Sequence, residues 1–140
     1  MKIAATTVKG GLDDTIIDIF GRAPYFTIVE VDNGKILDVE VVKNDNAAAS
    51  GGAGIAAAQL MIEKGVSSVL TGRVGPNAFN VLSSAGINVY DAAGLKVRDA
   101  IEKLLNGELE TVASPGKGGG MGRGMGRGRG GGRGMGRGWM

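Results

Sequence analysis

The chain has 140 residues, with 16 basic and 14 acidic side chains, 27 glycines, and neither cysteine nor histidine. This length suits one domain with an extension. The missing residue types exclude disulfides and every catalytic set that needs a thiol or an imidazole. The first apolar run is too short for a secretory signal, and no stretch approaches the ~20 apolar residues of a membrane span. We therefore expect a soluble, cytoplasmic protein.

The composition changes sharply near Ser114. Residues 115–140 hold six of the 16 basic residues, no acidic residue and 14 of the 27 glycines, which leaves residues 1–114 with 10 basic and 14 acidic residues and a formal charge of −4. Gly-Met-Gly-Arg-Gly recurs at 120–124, 124–128 and 134–138. Glycine this dense cannot bury enough apolar surface to offset chain entropy. The sequence predicts a domain at 1–114 and a disordered basic tail at 115–140.

Apolar patterning predicts the elements in chain order. Strands are expected at 3–8, 25–31, 36–42, 66–70 and 87–90, one or two helical turns at 12–20, and helices at 54–64, 77–85 and 96–105. Asn33-Gly34 indicates a tight hairpin, because both central positions of a type I′ turn need a positive φ. The third strand alternates acidic and apolar residues, which favours an edge strand with one solvated face.

An antiparallel hairpin followed by two strand–helix crossovers predicts a mixed α/β sheet with helices on both faces. Three glycine-containing segments border its elements: 20–26 (FGRAPYF), 51–54 (GGAG) and 71–79 (TGRVGPNAF). The last two open helices, and Pro76 suits a first helical turn. A helix N-terminus presents free N–H groups and a partial positive charge, so these segments indicate an anion- or cofactor-binding pocket.

Taken together, FGRAPYF, the Asn-Gly hairpin, GGAG before an Ala-rich helix and TGRVGPNAF resemble the dinitrogenase iron–molybdenum cofactor biosynthesis family, in its NifX-like group of small stand-alone proteins. The resemblance covers about residues 1–110. It implies a ribonuclease-H-like, three-layer fold with strand order 3-2-1-4-5 and strand 2 antiparallel. It also implies non-catalytic binding, carrying or delivery of an iron–sulfur or molybdenum-containing sulfide cluster, with a cofactor-biosynthesis or recipient protein as partner.

With that strand order, the switch point lies at the carboxyl ends of strands 1 and 4, where loops 7–11, 44–54 and 72–77 should converge. Family members often carry a histidine before FGR or a cysteine or histidine near GGAG, whereas Ile19 stands before Phe20 here. A cluster would then be held by N–H groups and arginines, without direct metal ligands. The candidate cofactor-binding residues are Thr7, Gly10, Arg22, Gly51, Gly52, Gly54, Gly72, Arg73, Gly75 and Asn77.

Other interpretations remain open from the residues. The same pocket suits phosphate, which would make the protein a small-anion or nucleotide-binding regulator. The Arg-Gly tail is typical of weak polyanion contact and could define a nucleic-acid-binding accessory protein. The glycines could merely start helices, and Arg22 could only bridge an acid such as Asp18. An enzyme is not expected, because the first strand lacks the carboxylates that a two-metal nuclease needs.

Overall fold

In the computed structural model, residues 1–48 and 51–112 are described and form five strands and three helices. In chain order these are β1 (Lys2–Thr7), β2 (Tyr25–Asp32), β3 (Lys35–Lys43), α1 (Ala53–Glu63), β4 (Ser68–Thr71), α2 (Pro76–Ser84), β5 (Asn88–Asp91) and α3 (Val97–Leu105). None of the described helices is long and apolar enough to cross a membrane. The predicted tail at 115–140 lies outside the described residues.

The five strands form one mixed sheet in the order β3-β2-β1-β4-β5. β2 runs antiparallel to both β1 and β3, while β1, β4 and β5 run parallel to one another. The mixed α/β sheet predicted from the sequence is confirmed. Because the parallel strands share a direction, their carboxyl ends meet at one edge, which is where ligands bind in open α/β sheets.

Helices cover both faces of the sheet. On the first, the α1/α2 face, Met61 and Leu82 pack against Phe26, Ile28 and other buried strand residues. On the second, the α3 face, Val97 and other buried residues of α3 pack against the opposite side of β1, β2 and β4. Successive side chains of β1 point to opposite faces, so that Ala4 packs in the core of the α1/α2 face and Ile3 in the core of the α3 face. The alternation along one strand therefore supplies side chains to both helix layers.

The β2–β3 hairpin turns at the two predicted residues. Asn33 has φ 52° and Gly34 has φ 77°, the positive values that a type I′ turn requires. β3 lies at the sheet edge, as predicted, but the expectation of a single solvated face is wrong. Eight of its nine residues are exposed, including Leu37 at 61% and Val41 at 46%. Within β3, only Val42 is partly buried, where it packs against the core of the α1/α2 face.

The helical turns predicted at 12–20 are wrong, because residues 12 and 13 form a turn and residues 15–19 run without helix between isolated β-bridges to Lys96 and Arg73. Ile16 donates its N–H to the Leu95 carbonyl at 2.8 Å, and Ile17 donates to the Thr6 carbonyl at 3.0 Å. Ile16 packs into the core of the α3 face and Ile17 against that of the α1/α2 face. Two consecutive side chains can enter cores on opposite faces of the sheet only where the backbone between them is extended. The apolar spacing of the segment nevertheless matches that of a helix.

Candidate functional site

Three chain segments meet at the carboxyl ends of β1 and β4 and line a cavity of about 430 Å³. The segments are the connection before β2, the start of α1 and the loop between β4 and α2. A second cavity of about 250 Å³ adjoins it and shares five of its lining residues. We call the two together the cleft. The larger cavity is lined by Ile19, Phe20, Gly21, Arg22, Gly52, Ala53, Gly54, Arg73 and Gly75.

The N-terminus of α1 opens into the cleft without a capping side chain. Gly52, in the left-handed region at φ 75°, occupies the N-cap, and the first turn contains no acidic residue. The Ala56 N–H donates to the Gly52 carbonyl at 3.0 Å, so the N–H groups of Ala53, Gly54 and Ile55 precede the first full helical hydrogen bond. These groups carry the partial positive charge of a helix start.

The N-terminus of α2 opens beside it. Gly75 is its N-cap, again without a capping side chain or an acid in the first turn, and Pro76 has no N–H to satisfy. The Phe79 N–H donates to the Gly75 carbonyl at 2.9 Å. The N–H groups of Asn77 and Ala78, two residues that line the smaller cavity, therefore precede that bond. Two helix starts thus point their positive ends at one cleft.

Close backbone contact brings these segments together. A Cβ atom on Gly21 would lie 2.7 Å from the Gly54 Cα and 2.8 Å from its nitrogen. A Cβ atom on Gly54 would lie 3.2 Å from the Ala78 Cβ. The chain at Gly21 thus rests on the first turn of α1, and α1 approaches α2 at its own first turn. Only small residues permit this approach, so the glycines shape the cleft as well as exposing its N–H groups.

Arg73 is tied to the segment before β2 by its backbone and its side chain. Its N–H donates to the Asp18 carbonyl at 2.6 Å, and its carbonyl accepts from the Phe20 N–H at 3.2 Å. Its guanidinium lies 3.3 Å from the Asp18 carboxylate, with the two side chains 44% and 57% exposed. The acid suggested as a partner for Arg22 therefore pairs with Arg73. An exposed pair of this kind is weak, so Arg73 can exchange Asp18 for a ligand.

Arg22 also lines the cleft, three residues before β2 begins at Tyr25. Its Nη1 donates to the Ala47 carbonyl at 3.0 Å. This contact joins Arg22 to the turn that follows β3, a part of the chain that does not line the cleft. Both predicted arginines therefore line the cleft.

Of the other predicted site residues, Gly52, Gly54, Gly75 and Asn77 line the cleft. Gly51 precedes the α1 cap and is exposed, and it belongs to neither cavity lining. Gly72 also lies outside the linings, because it packs against Asp18, where a Cβ atom would come within 2.6 Å of the Asp18 Cβ. Its small size serves this contact.

The structure does not bring Thr7 and Gly10 to the cleft. The Thr7 side chain is fully buried and donates its hydroxyl to the Tyr25 carbonyl at 3.0 Å. A Cβ atom on Gly10 would come within 2.4 Å of Val41, on the α3 face. The loop at 7–11 is at the predicted edge of the sheet, but it folds over the face opposite the cleft.

The Asp14 carboxylate fixes this turn over the α3 face. Its Oδ2 accepts N–H groups from Val8, Lys9 and Gly10 at 3.0, 2.8 and 2.9 Å. Partial burial opposes ionisation of the carboxyl, but these hydrogen bonds and one from the Thr15 N–H outweigh it and lower the pKa of Asp14 below 3.8. The N–H groups of Val8, Lys9 and Gly10 are thus occupied by this carboxylate, and the Gly11 N–H donates to the Thr27 hydroxyl at 3.0 Å.

Sequence reasoning missed two residues that line or support the cleft, Gly21 and Asn44. Gly21 stood inside the FGRAPYF segment, but its contact with Gly54 depends on a distant part of the chain. Asn44 carries no local signal of its own, and Asp18 was considered only as a partner for Arg22. Over the described residues, no group of three His, Cys, Asp or Glu side chains could hold a metal ion. The cleft accordingly offers N–H and guanidinium donors to a ligand.

The family model for the dinitrogenase iron-molybdenum cofactor matches residues 1–107. The chain belongs to this family. The resemblance seen in the sequence is therefore confirmed, and a cofactor-related accessory role follows at the level of the family.

Solved structures share the fold of the family member described here. The apo form of the orange protein from Desulfovibrio gigas is 41% identical with a TM-score of 0.76, covering 83% of this chain and 96% of that chain. A Thermotoga protein for which a NifB identity has been proposed is 36% identical with a TM-score of 0.71, covering 84% and 98%. An uncharacterised protein from Methanocaldococcus jannaschii is 35% identical over 91 residues, which span 65% of this chain and 77% of that protein.

Proposed function

We propose that the protein binds and carries an anionic metal–sulfide cluster of the iron–molybdenum–sulfur type in the cleft, and that it catalyses no reaction. The observation that carries the proposal is the meeting of two uncapped helix N-termini in one cleft that Arg22 and Arg73 also line. Membership of the iron-molybdenum cofactor family supports this choice of cargo. One similar structure is described as an apo form, the term for a protein without its bound group.

The donors of the cleft suit a pre-formed cluster better than bare metal ions. Soft metals are held by thiolate or imidazole, and the sequence contains neither. Backbone N–H groups and guanidinium groups instead donate hydrogen bonds to the sulfide atoms on the outside of a cluster. Charge-assisted bonds of this kind are stronger than neutral ones. The cluster is therefore cargo that keeps its own sulfide ligands, which permits release.

We also propose a fold class, a location, a partner and domain bounds for the protein. We assign the sheet to the ribonuclease-H-like class, on the basis of its strand order and antiparallel β2. We place the protein in the cytoplasm, with a cofactor-biosynthesis or cofactor-receiving protein as the partner that exchanges the cluster. The domain is taken to be residues 1–114, followed by a separate tail.

A second candidate is a regulator that binds a small phosphate-containing anion or nucleotide. The observation that favours it is the same pair of helix starts, since N–H groups at a helix N-terminus bind phosphate well. Sulfide clusters absorb visible light and phosphates do not, so the ligands can be distinguished directly.

Titration with tetrathiomolybdate, followed by its visible absorption under anaerobic conditions, tests the proposal. We expect Arg73→Ala to weaken binding by about 1–3 kcal/mol, or about 5- to 150-fold, through loss of a charge-assisted hydrogen bond. Arg98→Ala is the matched control, because Arg98 is also exposed and also pairs with an acid, Asp13, at 3.1 Å. It lies on α3, away from the cleft, and should leave affinity unchanged.

Equal weakening by the two substitutions would show attraction to general positive charge and would contradict a site in the cleft. Saturable binding of phosphate or a nucleotide, with tetrathiomolybdate failing to compete, would favour the second candidate. Amide chemical shifts give an independent location. With tetrathiomolybdate bound, the largest changes should fall at residues 52–55, 75, 77 and 78.

A further inference from the structure

Asn44 is a buried polar residue just after β3, and it lies outside the cleft lining. Its Nδ2 donates to the carbonyls of Gly21 and Ala23 at 3.0 and 2.8 Å. Its Oδ1 accepts the Asn46 N–H at 3.2 Å. Its backbone N–H donates to the Pro24 carbonyl at 2.9 Å. Both amide hydrogens and the amide oxygen are therefore satisfied inside the fold.

These bonds hold a part of the cleft wall that has no regular secondary structure. Residues 21–24 belong to neither a helix nor a strand, so no ladder of backbone bonds fixes their position. On one side the Phe20 N–H is bound by the Arg73 carbonyl. On the other side the Asn44 amide binds the two carbonyls of Gly21 and Ala23. The second anchor therefore holds the residue, Gly21, that rests on the backbone of Gly54.

The same turn also locates the side chain of Arg22. The Ala47 N–H donates to the Asn44 carbonyl at 3.3 Å. The Ala47 carbonyl in turn accepts the Nη1 of Arg22 at 3.0 Å. Asn44 thus binds the backbone on both sides of Arg22 directly, and it is linked through Ala47 to one end of the Arg22 guanidinium.

We propose that Asn44 is the positioning residue of the cleft, which fixes the Gly21 wall and holds the Arg22 guanidinium in place for an anionic cargo. This inference rests on the proposed function for its cargo, although the geometry of the wall can be tested without any ligand. Asn44 itself touches no cargo. An asparagine is needed because a neutral amide supplies two hydrogens from one nitrogen and an acceptor beside it.

Asn44→Asp tests the inference with little change in size. The carboxylate has no hydrogen to donate and would face two carbonyl oxygens, so the wall should detach from the turn. Asn46→Asp is the matched control, since it adds the same charge in the same turn at an exposed side chain. We expect Asn44→Asp to weaken tetrathiomolybdate binding about tenfold or more, and Asn46→Asp to weaken it by less than about threefold.

A double variant separates positioning from a general loss of structure. If Asn44 acts through Arg22 and the wall, Asn44→Asp should weaken binding much less in an Arg22→Ala background than in the wild type. Full additivity of the two effects would contradict this coupling. Asn44→Ser, which keeps one donor and adds no charge, serves if Asn44→Asp does not fold, and it should give an intermediate loss of affinity.

Amide hydrogen exchange without ligand distinguishes failure of this inference from failure of the proposed function. In Asn44→Asp or Asn44→Ser, the amides at 20–23 should exchange faster, while those in the middle of α1 and β4 keep their wild-type rates. That result would support the positioning role even if the wild type bound no tetrathiomolybdate. Unchanged exchange at 20–23, or equal acceleration throughout the domain, would overturn it.

Discussion

At the scale of single residues, two glycines near the cleft are explained by contact and not by torsion. Gly21 and Gly72 have ordinary φ values, yet an added Cβ would come within 2.7 Å of the Gly54 backbone or 2.6 Å of Asp18. Gly52 is the contrasting case, since its φ of 75° favours glycine while its surroundings are open. The first kind fixes the distance between segments, and the second fixes the direction in which a helix starts.

Gly21→Ala should destabilise the domain, because the Gly54 backbone cannot move away without shifting α1. Overpacking of this kind typically costs about 1–3 kcal/mol. Gly51→Ala is the control, since a Cβ there meets no atom within 4 Å, and it should change stability by less than about 0.5 kcal/mol. Urea unfolding measures both. Equal stabilities for the two variants would contradict the tight contact.

Asp18→Asn should strengthen binding of an anionic cluster. The Asp18 carboxylate lies 3.3 Å from the Arg73 guanidinium, where it competes with any ligand and repels a negative one. At this exposure the gain should be about 1 kcal/mol or less, and it should shrink as salt is added. Tetrathiomolybdate titrations at two salt concentrations measure it, with Asp13→Asn as the control. Weaker binding by Asp18→Asn would show that the pair holds Arg73 in its binding position.

The residue scale also shows what the sequence could and could not predict. Arg73 and Gly75 could be picked out from the sequence as candidate site residues, because each adjoins a recognisable helix start. Asn44 was not, since an asparagine after a strand is common in turns, and its role arises from carbonyls about 20 residues earlier. Local patterns report local structure, so a residue that acts across the fold leaves no such mark.

At the scale of elements, predictions were reliable where a local rule decides the conformation. The Asn-Gly turn follows from the torsions of its two central residues, and it was predicted correctly. The absence of a helix at 12–20 was not predicted, because the apolar spacing of this segment fits a helix as well as a chain that crosses between two cores. Only the positions of Leu95 and Thr6, which accept its N–H groups, separate these alternatives.

The turn held by Asp14 should make part of the stability depend on pH. Because the pKa of this carboxyl is lowered in the folded protein, the unfolded chain takes up its proton first as the pH falls. The contribution is therefore complete above the unfolded value near 3.8 and is lost as the pH falls through the lower folded value. Relative to Asp14→Asn, the wild type should be more stable at neutral pH.

Thermal unfolding from pH 7 down to the most acidic pH at which the protein stays soluble measures this difference. The gap in melting temperature between wild type and Asp14→Asn should narrow as the pH falls below 4. A gap that stays constant or widens in acid would contradict the assignment of the three N–H bonds to an ionised carboxylate.

At the scale of the whole molecule, the sequence located the edge of the sheet but not the face. The order of strands and helices correctly predicted a mixed sheet, and parallel strands bring their carboxyl ends to one edge. Thr7 and Gly10 lie at that edge but over the α3 face, whereas the cleft opens on the α1/α2 face. The side to which a loop folds depends on packing, here on Asp14 and Val41.

The basic segment at 115–140 should bind polyanions weakly and without sequence preference, which remains a prediction from its six positive charges. Each phosphate neutralised on a single strand contributes about −0.7 to the slope of log K against log salt, so full engagement gives about −4. Titration of labelled single-stranded RNA at several salt concentrations, with and without residues 115–140, measures it. Tight, sequence-selective binding at physiological salt would instead favour a nucleic-acid-binding protein.

Residues 110–112 lead the chain away from the end of the sheet at which the cleft lies. Asp91 donates its N–H to the Glu110 carbonyl, and Val112 donates to the Val89 carbonyl, so this stretch runs antiparallel to β5 toward its amino end. The cleft lies at the carboxyl ends of β1 and β4, which is the opposite end of these parallel strands. A protein anchored to a sensor chip by a group placed directly after Val112 would therefore present the mouth of the cleft to the flowing solution.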